Sequence, residues 1–319
     1  MFKRGICTVN DLIAAERSLT RKHFRRNYYI GLYEEVIAVN GTKDNPWQEW
    51  ILDPFAVKNA VFKRTAKNRF NEFDSKALEL LCGSPAVRES CVVHDMAVSD
   101  ARTACDFFDK LAPEFGHELE FYATDLCLKV YSVRQPGGRL TLVVDHDEKI
   151  LQLVFPPFVL PVSTNEPWLL YPVNRLLRAL LMSTAVKRLM RLCQEGSGAL
   201  ERQEILLLCQ EAREHLQRYP NFHVEIYDAL EEPRREYAVV RAMNIFNRTY
   251  FADHVLGKAV RNVFKSLKEG GMFVTGSNQD AGSAVNGSVY RKCSGRFIPL
   301  YQSALGSPVD HIITATRAN

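Results

Sequence analysis

The segment VVHDMAVSDARTACDFF, Val92 to Phe108, constrains the fold most: a short apolar run stops at Asp95, passes through small residues and resumes with helical periodicity. A strand, a tight turn and a helix follow from that pattern. In an α/β sheet such a turn sets backbone N–H groups and a helix N-terminus at the carboxyl edge of the strand, where small residues let a nucleotide-like ligand approach. A second apolar run, Glu120 to Thr124, ends at Asp125, where an acid is placed to accept hydrogen bonds from a ribose diol. Two acids at neighbouring strand ends outline a pocket, although each also reads as a plain helix cap.

The same rhythm continues. His223 to Tyr227 ends at Asp228, and EYAVVRAMNIFNRTYF supplies a fourth run that ends in Asn244 and Asn247. An amphipathic helix then leads to SLKEGGMFVTGS, where Gly270 and Gly271 read as the helix stop before a fifth strand. Strand and helix alternate throughout, which predicts a largely parallel sheet covered on both faces.

These segments resemble the class I S-adenosylmethionine-dependent methyltransferases. HDMAVSDART matches the first motif, FYATDL and VEIYDAL the acids after the second and third strands, VVRAMNIFN the fourth-strand segment and LKEGGMFVTG the fifth-strand entrance, over Glu89 to Ala315. The resemblance implies a Rossmann-like, mostly parallel seven-stranded sheet and S-adenosylmethionine as cofactor. It implies that Asp95 and the turn of Ala97, Ser99 and Ala101 sit against the methionine moiety and that Asp125 holds the ribose. Asp228 would face the adenine amino group and Asn244 would line the floor near the methyl. Where the family usually has glycines, this chain reads Ala97, Ser99 and Ala101. Either the turn keeps negative φ and admits the cofactor against methyl groups, or the site is closed and the fold is a catalytically silent binding partner. The active reading is transfer to a small-molecule or hydrophobic, acyl-bearing acceptor, as O-methylation, with Asn244 and Tyr250 as substrate-side candidates. The chain lacks an NPPY-type or DPPY-type fourth motif, so no nucleic-acid substrate is expected.

Composition sets the outer bounds. With 46% hydrophobic and 24% charged residues the chain has the apolar content for a substantial core, and its net charge of +4 is mild. Lys3, Arg4, Arg17, Arg21, Lys22, Arg25 and Arg26 make the first thirty residues locally basic against Asp11 and Glu16. A solvated helix face explains that run most simply. The eight cysteines show no C-x-x-C pair and no metal-ligand spacing, so no metal is expected, and a reducing cytoplasm is the expected setting. MFKRGICTVNDLIAAERS lacks the sustained apolar core of a secretory leader.

Three regions result: an N-terminal helical cap over residues 1–90, an α/β domain over 91–319, and an insertion of residues 129–221 between its second and third strands. In the cap, Thr8 or Asn10 caps a helix, and DNPWQEWILDPF reads as a non-helical crossing. The insertion opens with a hairpin, two runs joined by DHDEK, and continues into the apolar helix VNRLLRALLMSTAVKRLMRLC. Leu176, Leu177, Leu180, Leu181, Val186, Leu189 and Met190 give that helix a broad apolar stripe, with Arg175, Arg178, Lys187, Arg188 and Arg191 as its polar face. Three roles fit it: packing on its own domain or a homodimer partner, peripheral membrane contact, or the wall of a cavity for a lipid-like substrate. SNQDAGSAVNGS reads as a loop, and SVYRKCSGRFIPLYQSALG with DHIITATR as a terminal antiparallel pair.

Overall fold

The computed structural model describes residues 2–17, 26–40, 46–57, 63, 65–162, 171–194, 200–278 and 284–317. They form two compact units, residues 1–64 with 127–207, and residues 65–126 with 208–319. The borders differ from those read off the sequence because the N-terminal region builds one core together with the inserted segment, while residues 71–89 and 210–218 form helices of the large-sheet unit.

The first unit holds β1 (Gly5–Ile6), α1 (Val9–Arg17), β2 (Asn27–Tyr28), α2 (Leu32–Asn40), α3 (Pro46–Leu52), β5 (Lys129–Arg134), β6 (Thr141–Val144), β7 (Ile150–Phe155), β8 (Phe158–Pro161), α7 (Pro172–Ser183), α8 (Ala185–Gln194) and β9 (Glu201–Leu206). The expected hairpin is β6–β7, and it lies within a five-stranded antiparallel sheet of order β8-β7-β6-β5-β9. Alternation along the strands splits the sheet's side chains between two cores. Val130, Val143, Leu151 and Ile205 pack with Leu12, Ile30, Tyr33, Val36 and Ile51 of the N-terminal region. Leu142, Val144, Leu153 and Leu160 pack with Val186, Leu189, Leu177 and Leu181 of α7 and α8.

Local chemistry explains the helix ends. Thr8 and Asp11 form a reciprocal cap, with Asp11 N donating to Thr8 Oγ1 (3.1 Å) and Thr8 N to Asp11 Oδ2 (3.0 Å). The crossing expected at DNPWQEW is the helix α3, because Pro46 at its first position presets φ and needs no donor. The long apolar helix breaks at Thr184 into α7 and α8. ERQEIL is a strand, paired with β5 from Lys129↔Leu206 to Arg134↔Glu201. Arg21, Lys22, Arg25, Trp168 and residues 279–283 of the SNQDAGSAVNGS loop lie outside the described residues.

The second unit is Rossmann-like. Its elements are α4 (Asn71–Cys82), α5 (Pro85–Glu89), β3 (Cys91–Met96), α6 (Arg102–Phe115), β4 (Leu119–Asp125), α9 (Gln210–Arg218), β10 (Phe222–Ile226), β11 (Tyr237–Met243), α10 (Asp253–Ser266), β12 (Leu267–Ser277), β13 (Asn286–Cys293), β14 (Arg296–Ser303) and α11 (Asp310–Ala315). The seven-stranded sheet runs β10-β4-β3-β11-β12-β13-β14, parallel through β12 and antiparallel thereafter. Both faces are covered: Phe121 and Phe222 meet Phe108 of α6, while Val240 and Phe273 pack with Leu256 and Val260 of α10.

Two sequence expectations are corrected here. The terminal antiparallel pair is β13–β14 alone, and DHIITA is the helix α11, whose Ile313 is buried. The helix before the fifth strand ends at Ser266, so Gly270 and Gly271 lie within β12, where its pairing with β11 slips from Tyr237↔Leu267 to Val239↔Met272. Gly270 has φ +78°, and a Cβ on Gly271 would meet Ala238 O at 3.0 Å, so the pair builds a bulge rather than a helix stop.

A buried ionic cluster joins the centre of this sheet to α4. Arg241 of β11 donates from Nη1 to Asp95 Oδ2 (2.7 Å) on β3, and from Nε and Nη2 to Asp74 Oδ1 and Oδ2 (3.0 and 2.9 Å) on α4. All three side chains are 1–2% exposed. The guanidinium also lies 4.8 Å from the Phe107 ring centroid and 5.3 Å from that of Phe70. Burial pushes the Asp95 carboxyl up to about 6, with Arg241 opposing the rise, and raises Asp74 in the same direction. Burial works against the Arg241 charge, and the two carboxylates override it.

Arg241→Met strands two carboxylates in the core and is expected to cost about 3–5 kcal/mol in urea unfolding. Asp95→Asn, which leaves the bidentate pair with Asp74, is expected to cost less. Asp95 takes up its proton in the folded state first, so its contribution is fully present below 3.8 and is lost as pH rises through about 6. Urea unfolding across that window should show the wild-type advantage over D95N shrinking by about 2–3 kcal/mol as pH rises. A constant difference would place the proton elsewhere.

Candidate functional site

The register sets Glu225, Thr124, Met96, Ala242, Thr275, Ser288 and Gln302 in one row across all seven strands. Asp125, the turn from Ala97 to Ala101, Asp228, Asn244 and Asn278 all follow that row within a few residues, at the carboxyl edge of the parallel strands. This edge is where a doubly wound sheet opens a crevice.

The turn after β3 is knitted to its neighbours. Val98 N donates to Thr124 O (3.0 Å), Ser99 N to Asp125 Oδ2 (2.8 Å), Ala101 N to Val98 O (2.9 Å) and Cys209 N to Asp100 O (2.9 Å). Ala97, Ser99 and Ala101 have φ of +59°, +61° and +66°. Alternating left-handed residues are what a glycine-rich turn adopts freely, and each side chain held there costs about 1 kcal/mol or more. The negative-φ expectation is therefore overturned: the chain keeps the glycine conformation without glycine. The Ala101 methyl is fully buried, so it presents no surface at the edge.

The other candidate residues divide by position. Asp95 is buried in the sheet, bonded to Arg241, on the strand that ends in the turn. Asp125 binds the turn through Oδ2, and its carbonyl accepts from Tyr227 N (3.1 Å). Asp228 Oδ1 accepts from Leu230 N (2.9 Å), which closes an Asx turn after β10. Asn244, at φ +59°, donates from its backbone to Gly276 O and exchanges bonds with Asn278: Nδ2 to Asn278 Oδ1 (3.2 Å) and Asn278 N to Asn244 Oδ1 (3.0 Å). Tyr250 is 52% exposed in the turn that follows Asn247. His94 is a core histidine, its Nε2 2.8 Å from Thr124 Oγ1 and its ring against Tyr227 and Tyr237, and burial lowers its pKa to about 3.

Arg69 and Asn278 were not apparent from the sequence. Arg69 donates from Nε to Asn278 Oδ1 (2.7 Å) and from Nη2 to Asn278 O (3.3 Å), joining the segment before α4 to the end of β12. Beside them opens a cavity of about 600 Å³ lined by Asn68, Arg69, Phe70, Glu72, Phe73, Val285, Tyr301 and Ser303, among others. Arg69 is the one cation and Glu72 the one acid among its described lining residues. No periodicity marks NRF or SN as a site; only the sheet order brings them together.

Comparisons with known proteins return structures alone: no protein-family model and no curated protein matches the chain. The solved structures it is similar to include the CMeT domain of the citrinin polyketide synthase, at 11% identity and TM-score 0.32, covering 65% of this chain and 34% of that one. They also include the N-methyltransferase NodS of Bradyrhizobium japonicum in complex with S-adenosyl-L-homocysteine, at 13% identity and TM-score 0.31, covering 71% and 70%. A third is an S-adenosylmethionine-dependent methyltransferase from Clostridium acetobutylicum, at 9% identity and TM-score 0.34, covering 78% and 79%. At such identities and TM-scores the likeness gives no residue a role.

The strain at Ala97 is directly measurable. Ala97→Gly is expected to leave unfolding stability unchanged or raise it by up to about 1 kcal/mol, whereas Ala104→Gly inside α6 should lower it by about 1 kcal/mol or more. Equal losses in thermal unfolding would show that the turn holds no strain.

Proposed function

We propose that this chain is an S-adenosylmethionine-dependent methyltransferase that methylates a carboxylate oxygen of a small organic acceptor. The observation that carries the reading is the turn after β3, held in a left-handed conformation at three non-glycine residues beside Asp125. Strain of that kind persists where the surrounding structure enforces it, and it clusters at ligand clamps. At this edge Ala97 and Ser99 would face its methionine moiety, Asp125 its ribose, Asp228 its adenine amino group and Asn244 the floor below the methyl.

When bound, the cofactor supplies a methyl group activated by a sulfonium. The protein's part is then alignment and exclusion of water. A hydroxyl acceptor would need a base, and His94, buried and lowered to about 3, is a poor one. A carboxylate is already anionic at neutral pH and needs none. Arg69, fixed by Asn278 on the cavity wall, would hold such an acceptor, with Phe70 and Phe73 against its apolar part.

Isothermal titration of the full chain with S-adenosylmethionine and S-adenosylhomocysteine tests the first half. Saturable binding, weakened about tenfold or more by Asp125→Ala, is expected. Absence of binding at about millimolar ligand would sink the reading. The second half is tested by turnover of labelled cofactor against a panel of small carboxylic acids. Methyl transfer lost in Arg69→Gln with cofactor affinity retained supports the carboxylate acceptor; binding without transfer to any acid would favour the silent, binding role.

A further inference from the structure

Four of the seven large apolar side chains that are exposed among the described residues belong to one patch of the first unit: Phe2 (55%), Val173 (44%), Leu176 (64%) and Leu180 (54%). Val173, Leu176 and Leu180 follow i, i+3, i+7 spacing along α7 and so share a face. It is not the face that builds the core, since Leu177 and Leu181 pack inward against β-sheet residues such as Leu153 and Leu160. Phe2 is held beside it: Lys3 N donates to Asn174 Oδ1 and Asn174 Nδ2 to Lys3 O, both at 2.8 Å, and the Phe2 ring lies 6.1 Å from that of Phe158. The helix therefore has two apolar faces, one covered and one bare.

The two helices themselves carry charge of one sign. From Tyr171 to Gln194 the sequence carries five cations and no acid. Arg178 donates to Pro161 O (3.0 Å), while Arg175, Lys187 and Arg191 are exposed, as is Arg4 near Phe2. We infer that α7, with Phe2, docks this protein onto a bilayer surface that contains anionic lipid. A two-fold contact between copies would set these cations against each other, and three aliphatic side chains with one ring fall short of the area a stable interface buries. An anionic headgroup layer accepts the cations and the acyl boundary accepts the leucines. At 12 residues α7 is suited to lying on a surface. No helix among the described residues is long and apolar enough to cross a membrane.

The test is flotation of the full chain with vesicles of phosphatidylcholine alone and of phosphatidylcholine mixed with phosphatidylglycerol, at low and high salt. The protein is expected to float with the mixed vesicles at low salt and to be released by high salt. Leu176→Glu with Leu180→Glu, and separately Lys187→Glu with Arg191→Glu, should each reduce the bound fraction about tenfold or more, with circular dichroism melts unchanged because these side chains are exposed. The inference is overturned if the wild type stays unbound on mixed vesicles at low salt, or if both double variants float like the wild type. It is equally overturned if light scattering shows a dimer that L176E/L180E dissolves, which would assign the face to a second copy.

Discussion

Arg241 holds the carboxyl edge of the large sheet together from beneath. It lies opposite Asp95 in the β3–β11 register, one residue below the row that carries the site, and its other side grips Asp74 of α4 in a bidentate pair. One cation therefore fixes three elements: the strand that ends in the left-handed turn, the strand that ends in Asn244, and the helix whose first residues line the cavity. Such a cluster gives modest net stability, because desolvation consumes most of the attraction, but its geometry is demanding. A shift of α4 would break the bidentate pair and carry Arg69 and Phe70 with it. The edge is thus positioned by an interaction that no ligand needs to touch.

In that placement Asp95 is buried and bonded to Arg241, a setting the sequence does not reveal. Its position at the end of an apolar run, followed by small residues, is equally that of an acid turned into the sheet, and strand periodicity does not say which of two faces is the buried one when both are covered. The parallel run of β10, β4, β3, β11 and β12 was legible because each strand is a short apolar run closed by a polar residue. Asp74, Arg69 and Asn278 were not, since each gains its meaning only from a partner 34 to 209 residues away. DNPWQEW and DHIITA were misassigned for local reasons: a proline can open a helix as well as interrupt one, and a β-branched Ile-Ile-Thr run suits a strand unless a buried face, here Ile313, draws it into a helix.

Left-handed φ at Ala97, Ser99 and Ala101 separates two properties that glycine normally supplies together, conformational freedom and lack of bulk. Here the conformation is enforced by bonds to Thr124, Asp125 and Cys209, and the bulk of Ala101 is absorbed by the core. A relaxed connection between β3 and α6 is open to alanine and serine, so the left-handed shape is held against a standing cost. The retained geometry, rather than the identity of the residues, is what this turn shares with a glycine-rich one.

The first unit changes the meaning of the N-terminal region. Residues 1–64 supply Leu12, Ile30, Tyr33, Val36 and Ile51 to a core whose other half, Val130, Val143, Leu151 and Ile205, arrives only with the inserted segment. Gln152 completes the union by accepting from Ile30 N (3.2 Å) and donating to Tyr28 O (3.0 Å). Neither segment has a closed core alone, so the region before the large sheet is no removable extension. The chain leaves this unit, builds α4 to β4, returns to finish it, and leaves again. Contacts of such high sequence separation make folding slow relative to a chain of local pairings, and they bind the fate of the α7 surface to the integrity of the first residues. Phe2 and Lys3 therefore belong to the same physical object as α7, although some 170 residues separate them, as the bond of Lys3 to Asn174 records.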